Sequence, residues 1–428
     1  MPASALLRAG GLVVESLDAD TGRVVQELPQ DVWGRLEGIR DPRSTFGRTY
    51  ALASLVAIAL CALTAAGHEG MTAIGQWIAR AGSDELARFR LPFDVLTGCH
   101  RVPSEKTIRG LLDRIEPADL TRAVLTTARP GPARVGGPAG TRGRSYPARQ
   151  ARRQADALRN AVRPWMRPIA VDGKTSRGAR RSDGHRVHLL GVCEHASAGG
   201  RFLGHVEIDA KSSEVTHFQD TLRTILDGDL AGRVVTFDAL LTVRAHLQWL
   251  HEDQKAFYIA IVKKNQPTTY RACKRLPWKH VRPGETTHDH GHGRDETRAL
   301  KCVQADTLGL PGAVQALRIT RWRQNTRTQK ISRETVYAVT NLTSAQAAPE
   351  DLARLARGHW GIEVHHHVRD VTFREDHSAS RTGHGPANLA TLRAAVINTV
   401  KDAGYLYITD GRRDHTRPDE TLNLHGFP

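Results

Sequence analysis

Ile169-Ala170-Val171-Asp172-Gly173-Lys174-Thr175 is the stretch on which the fold turns. A short apolar run containing two β-branched residues reads as a strand, and here it closes on an acid followed by glycine. Residues 187–193 and 202–208 read as two further strands joined by a Gly199-Gly200 turn, so the simplest arrangement is a three-stranded meander. Ser213 is placed to cap a helix running to Leu226. Residues 233–237 (Arg-Val-Val-Thr-Phe) form a second buried strand, which also ends in an acid, Asp238. A helix over roughly 242–253 and a strand over 257–262 complete the series.

Three strands, helix, strand, helix, strand is the order of a ribonuclease-H-like fold, which places the chain in the α/β class. In that order the first and fourth strands lie side by side. Asp172 and Asp238, 66 residues apart, are then expected to meet.

A third acid is expected from residues 352–376. Leu352, Leu355 and Ile362 recur at helical spacing, while His359, Glu363, His366 or His367, and Asp370 collect on another face. An ordinary solvated amphipathic helix has the same pattern. Residues 264–348, with the clearest strands at 317–322 and 335–340, read as a strand-rich insertion ahead of this helix. One Asp from each of two adjacent strands and one Glu from a helix is a donor set for hard cations, since Mg²⁺ takes a few carboxylate oxygens and fills its shell with water and phosphate. Two such ions about 4 Å apart can activate a water or a 3′-hydroxyl and steady the leaving oxygen at phosphorus. The adjacent triplet His365-His366-His367 is a poor zinc site, because successive helical side chains point about 100° apart.

Composition sets the frame. The 428 residues, 40% hydrophobic and 25% charged, suffice for two or three domains with their own cores. A formal charge of +16 suits a polyanionic partner, through release of phosphate counterions, and suits an arginine-rich proteome equally well. Five scattered cysteines without a Cys-x-x-Cys pair argue against a disulfide framework and for a reducing, cytoplasmic setting. The apolar run 50–66 is shorter than the roughly 20 residues that span a bilayer, so it reads as a buried helix and no membrane partner is expected. Helices are also expected over 70–81 and 103–115. In the second, Ser104 is the cap, Ile108, Leu111, Leu112 and Ile115 are the buried stripe, and Lys106, Arg109 and Arg114 lie outside. The domain reading is a small all-α N-terminal unit over 1–128 with a possible role in DNA end binding, an Arg/Pro/Gly-rich linker over 129–167, a catalytic unit over 168–410 and a tail over 411–428. The linker holds ten Arg and one acid, Asp156.

The chain resembles the DDE transposases of bacterial insertion sequences, in the subgroup that includes the H-repeat-associated proteins, over most of residues 38–405. The resemblance rests on Asp41-Pro42-Arg43, Ile74-Gly75-Gln76-Trp77, Pro103-Ser104-x-x-Thr107-Ile108-Arg109, Val171-Asp172-Gly173-Lys174, Lys211-Ser-Ser-Glu214, Phe237-Asp238-Ala239-Leu240, Lys263-x-Asn265-Gln266-Pro267, His292-Gly293-Arg294-x-Glu296-x-Arg298, and His359-Trp360-Gly361-Ile362-Glu363. It implies that Asp172, Asp238 and Glu363 are the catalytic, metal-binding triad, holding two Mg²⁺ ions with Mn²⁺ as substitute. The implied partners are the element's terminal inverted repeats and target DNA, with a homodimer in the synaptic complex and a nucleoid-associated location. Lys174, Lys263, Lys264, Asn265, Arg294 and Arg298 are the expected DNA contacts, and His359 and Asp370 the expected supports of Glu363. Val364 and the run His365-His366-His367 after the Glu, and the run Leu240-Leu241-Thr242-Val243 after the second Asp, stand where the family pattern differs. A catalytically silent, transposase-derived DNA-binding protein, and a two-metal nuclease without strand transfer, are the alternatives.

Overall fold

The computed structural model describes residues 14–17, 24–27 and 31–428, apart from 127–150, 152–154, 156–157, 159–160, 197–199, 210–213 and 292. Most of the expected linker, the Ser213 cap, Gly199, Lys211 and His292 therefore lie outside the described residues.

Two short strands, β1 (Val14–Leu17) and β2 (Val24–Glu27), pair antiparallel ahead of six helices, α1 (Val32–Glu37), α2 (Leu52–Thr64), α3 (Met71–Ile78), α4 (Ser83–Arg88), α5 (Glu105–Leu112) and α6 (Pro117–Leu125). A further two-stranded pair, β3 (Phe93–Asp94) and β4 (Cys99–His100), sits between α4 and α5, so this part is mainly helical and not all-α. Every residue of α2 is buried, as its uniformly apolar composition demands, and no described helix is long and apolar enough to cross a membrane. Ser104 Oγ accepts the Thr107 amide at 3.2 Å, and Ile108, Leu111, Leu112 and Ile115 are buried below, leaving Lys106, Arg109 and Arg114 exposed.

The centre of the molecule is one nine-stranded sheet. It contains β5 (Ile169–Arg180), β6 (Arg186–Glu194), β7 (Phe202–Ile208), β8 (Val234–Phe237), β9 (Phe257–Val262), β10 (Glu285–Gly291), β11 (Arg294–Gln304), β12 (Gln315–Asn325) and β13 (Ile331–Thr340), in the order β10-β11-β12-β13-β9-β8-β5-β6-β7. β5 runs parallel to β8, and β8 parallel to β9. The strands expected as an insertion are continuous with this sheet, because β13 pairs antiparallel with β9 through Tyr337↔Val262 to Thr340↔Ile259.

Helices cover both faces. On one face α7 (Glu214–Leu226), α8 (Arg244–Gln248) and α9 (Pro267–Arg275) flank a core that includes Val171, Leu190, Phe218, Leu222, Phe237 and Leu247. The helix expected over 242–253 ends as a π-turn at Trp249–Asp253. The other face receives α10 (Pro349–Gly358), α11 (Trp360–Val371) and α12 (Gly385–Asp402). α10 and α11 are nearly one helix, since the junction residue His359 keeps helical torsions (φ −53°, ψ −34°). Residues 411–428, expected as a tail, are helical and packed. α13 (Ile408–Asp414) presents Arg412 to the Leu63 and Ala65 carbonyls at the end of α2, and α14 (Pro418–His425) buries Leu422.

The N-terminal helices and α11 to α14 share one core, in which Leu55, Ile58, Ile108 and Leu120 meet Leu392, Val396 and Leu422. Buried Asn388 ties the two ends together, donating from Nδ2 to the Leu112 and Ile115 carbonyls at 2.7 and 2.8 Å. Asn388→Ala leaves both carbonyls without that partner and is expected to cost about 1–3 kcal/mol in urea unfolding monitored by circular dichroism. An unchanged midpoint would mean that these two hydrogen bonds add nothing to the packing between the two helical groups.

Candidate active site

The parallel ladder between β5 and β8 ends at Val171↔Phe237, so Asp172 and Asp238 follow their strands side by side. Side chains alternate along a strand. Ala170 and Thr236 are register partners, and Asp172 and Asp238 share their face, the one covered by α10 to α12. β8 stops there, whereas β5 continues to Arg180 on β6 alone through Asp172↔Gly191, Gly173↔Leu190 and Lys174↔Leu189. Asp172 is thus inside a long strand, not at the end of a short one, and it lies where the sheet opens on one side. Asp238 Oδ1 accepts the Leu240 and Leu241 amides at 2.9 and 3.3 Å, which fixes the turn after β8.

α11 crosses β5 on this face. His366 Nδ1 lies 3.7 Å from Asp172 Oδ2, and Glu363 is one turn earlier on the helix. The acids act on one another. The Asp172 carboxyl is pushed up to about 7, first by burial, then by the negative charges of Asp238, Glu214 and Glu363. Burial likewise raises the Glu363 carboxyl, opposed by Lys263 and Arg321 and reinforced by Asp238. Burial holds His366 well below its usual range, so the imidazole beside Asp172 is neutral and leaves its charge uncompensated.

The other expected site residues fall into two groups. Lys263 and Lys264 are exposed at the end of β9, and Lys263 is close enough to act on Glu363. Arg294 is exposed at the β10–β11 turn. Three others are already engaged within the protein. Lys174 is only 6% exposed and pairs with Asp370 at 2.6 Å, so it is not a surface phosphate contact. Asn265 donates to the Ala239 carbonyl at 2.7 Å and braces the turn after Asp238. Arg298 is partly buried between Glu296 and Asp289. Of the expected supports of Glu363, His359 reaches Thr236 Oγ1 at 3.1 Å on β8, with burial lowering it to about 4, and Asp370 reaches Lys174. His365 stacks on Phe202 at 4.4 Å in the core, His366 faces Asp172 and His367 is exposed, so the triplet diverges.

Glu214 is the residue that reading for strand-end acids misses. It is buried in the first turn of α7 and accepts from His188 Nε2 at 2.8 Å, while His188 Nδ1 meets Thr175 Oγ1 at 2.7 Å. Gly173 permits this: a Cβ there would lie 2.2 Å from Glu214 Oε1 and 2.6 Å from His188 Nε2. The glycine after the acid was the available signal, since it marks a close approach of another group to the strand.

Hard oxygen donors that raise one another's protonation are chemically suited to a divalent cation. Among the described residues no group of three or more His, Cys, Asp and Glu side chains is gathered tightly enough to enclose an ion.

The raised Asp172 carboxyl has a stability consequence in chelated protein. The folded state holds this proton more tightly than the unfolded chain, so the group's destabilising contribution is absent below pH 4, grows as pH rises, and is complete above about 7. Asp172→Asn removes it. The variant is expected to exceed the wild type in Tm at pH 8 and to match it near pH 4, with a gain of at most about 4 kcal/mol. Melting curves in EDTA across this range that show no growing gap would refute the electrostatic picture.

A family model described as "Transposase DDE domain" matches residues 166–399, and one described as "DDE_Tnp_1-associated" matches residues 33–127. The chain is 28% identical over 250 residues to "Putative transposase YncI" of Escherichia coli O157:H7, covering 55% of this chain and 62% of that protein. It is 30% identical over 135 residues to the protein of the same name in Escherichia coli strain K12, covering 30% and 53%. The chain thus spans between half and two thirds of the length of these curated relatives. With a single match that covers more than half of its length and takes in both central strands and α11, the chain belongs to the DDE-domain transposase family.

Proposed function

We propose that the protein is an active DNA transposase built on a ribonuclease-H-like core, which cleaves phosphodiester bonds at the ends of its element and joins the freed 3′-hydroxyl to target DNA. The observation that carries this reading is the β5–β8 register ending at Val171↔Phe237, with α11 laid across β5 so that His366 faces Asp172. The adjacency of β5 and β8, the first and fourth strands of the series, supports that core. Asp172, Asp238 and Glu363 would hold two Mg²⁺ ions, or Mn²⁺ in their place. When bound, these ions lower the pKa of a coordinated water or hydroxyl and neutralise charge on the phosphate.

The chain's own residues do the rest. The turn bonds to Asp238 Oδ1 fix that carboxylate before substrate arrives. Neutral His366 and His359 pack the site without competing as cations for the carboxylates. Lys263, Lys264 and Arg294 are exposed cations suited to phosphate oxygens, and contacts of this kind orient a duplex without reading its sequence. Double-stranded element ends and target DNA are the proposed partners, with a dimer forming when two ends are brought together. The helical N-terminal part, with exposed Lys106, Arg109 and Arg114, is the proposed end-binding region.

Asp172→Asn, Asp238→Asn and Glu363→Gln are each expected to lower cleavage of a terminal-repeat substrate by at least about 100-fold in Mg²⁺ while leaving DNA binding within a few-fold of wild type. Full cleavage by all three would overturn the reading. A joined product with supplied target DNA separates a transposase from a nuclease that only cuts, and DNA binding with no cleavage by the wild type would identify a silent derivative.

A further inference from the structure

β5 meets α11 in two consecutive steps and the turn after that helix in a third. His366 Nδ1 lies 3.7 Å from Asp172 Oδ2, Lys174 Nζ lies 2.6 Å from Asp370 Oδ1, and Ser176 Oγ donates to Glu375 Oε1 at 3.3 Å. The spacing is matched. Two residues of strand advance about 6.6 Å and four of helix about 6 Å, so 172 with 366 and 174 with 370 fall in step. Glu363 lies on the same helix face, three residues before His366 and seven before Asp370.

Only the middle step is a direct ion pair, and Lys174 is buried with 6% exposure. Asp376 stands 3.9 Å from the same ammonium, and its Oδ1 accepts the Arg177 amide at 3.0 Å. Behind them, Glu375 is gripped by Arg369 at 2.6 and 2.8 Å and by Arg393 at 3.4 Å. Gly178 lets this turn approach, since a Cβ there would lie 2.6 Å from the Asp376 and Ser378 carbonyl oxygens. Sliding α11 by one turn would displace Glu363 by about 5.4 Å, more than the roughly 4 Å separating two catalytic ions. It would also part the buried Lys174 ammonium from Asp370, its nearest carboxylate.

We propose that Lys174 is a positioning residue: its pairing with Asp370 sets the register of α11 on β5 and thereby fixes where Glu363 stands relative to Asp172 and Asp238. This rests on the transposase reading of the acidic triad, and it gives Lys174 a role inside the protein in place of one on DNA.

The test uses the full chain with Mn²⁺ as probe. Lys174→Met, which keeps the stem and removes the charge, is expected to weaken Mn²⁺ binding measured by electron paramagnetic resonance by about 10- to 100-fold, the usual effect of losing a support behind a metal ligand. Amide exchange in residues 360–371 should also accelerate without metal, whereas Lys174→Arg should restore most of the affinity. Asp370→Asn provides the same test from a more exposed position should the buried variant not fold. Wild-type Mn²⁺ affinity in Lys174→Met, or in Asp370→Asn if that variant alone folds, would overturn the proposal. Wild-type affinity in Asp172→Asn would instead overturn the reading on which it rests.

Discussion

Two parallel strands that stop pairing at the same level are the constraint on which the site depends. Val171 and Phe237 are the last partners of β5 and β8, and the next residue on each strand is an aspartate on one face of the sheet. Because β5 continues on β6 while β8 turns away, the sheet edge opens beside Asp172. Burying a carboxyl there is unfavourable by itself, and neighbouring carboxylates add to it, so the Asp172 carboxyl is raised first by burial and then by Asp238, Glu214 and Glu363. The surrounding structure sustains it: Ile169, Val171, Val235 and Phe237 are fully buried next to the acids.

The same face explains why the helices from the two ends of the chain belong together. α11 carries Glu363, but its anchorage comes from elsewhere. Arg369 and Arg393 hold Glu375 in a nearly dry setting, and Arg412 joins the end of α2 to the Thr372 carbonyl and to Glu69. Buried charges of this kind contribute little net stability compared with apolar packing, yet removing one partner is strongly destabilising. They suit a helix that has to sit in one register.

Opposite the site, Glu214, His188 and Thr175 form a hydrogen-bonded chain against the backbone of Gly173. Alternation along β5 puts this chain on the far side of the strand from Asp172, with only the backbone between. A buried negative charge at that position adds to the field on Asp172 more than Glu363 does. The departures from the family pattern after Glu363 also find a place. His365 fills the core against Phe202, while exposed Val364 and His367 lie away from Asp172.

Local sequence determined the elements with an unbroken apolar signal. Residues 257–262 are β9, residues 202–208 are β7, 187–193 differ from β6 by one residue at each end, and the stripe below Ser104 is buried as its spacing requires. The acids after Val171 and Phe237 and the acid on the late helix were legible for the same reason, since each follows or interrupts such a run. Tertiary structure alone decided the rest. The second half of β5, Gly173 to Arg180, has no apolar period and is a strand only because β6 pairs with it, and the strands after β9 extend the main sheet only because β13 finds β9. Lys174 and Asn265 look like exposed phosphate contacts until folding supplies Asp370 and the Ala239 carbonyl. The physical reason is range: burial periodicity and capping act within a few residues, whereas the partner of a charge, or of a strand edge, is chosen by groups far away in the chain, as Asp370 is 196 positions from Lys174.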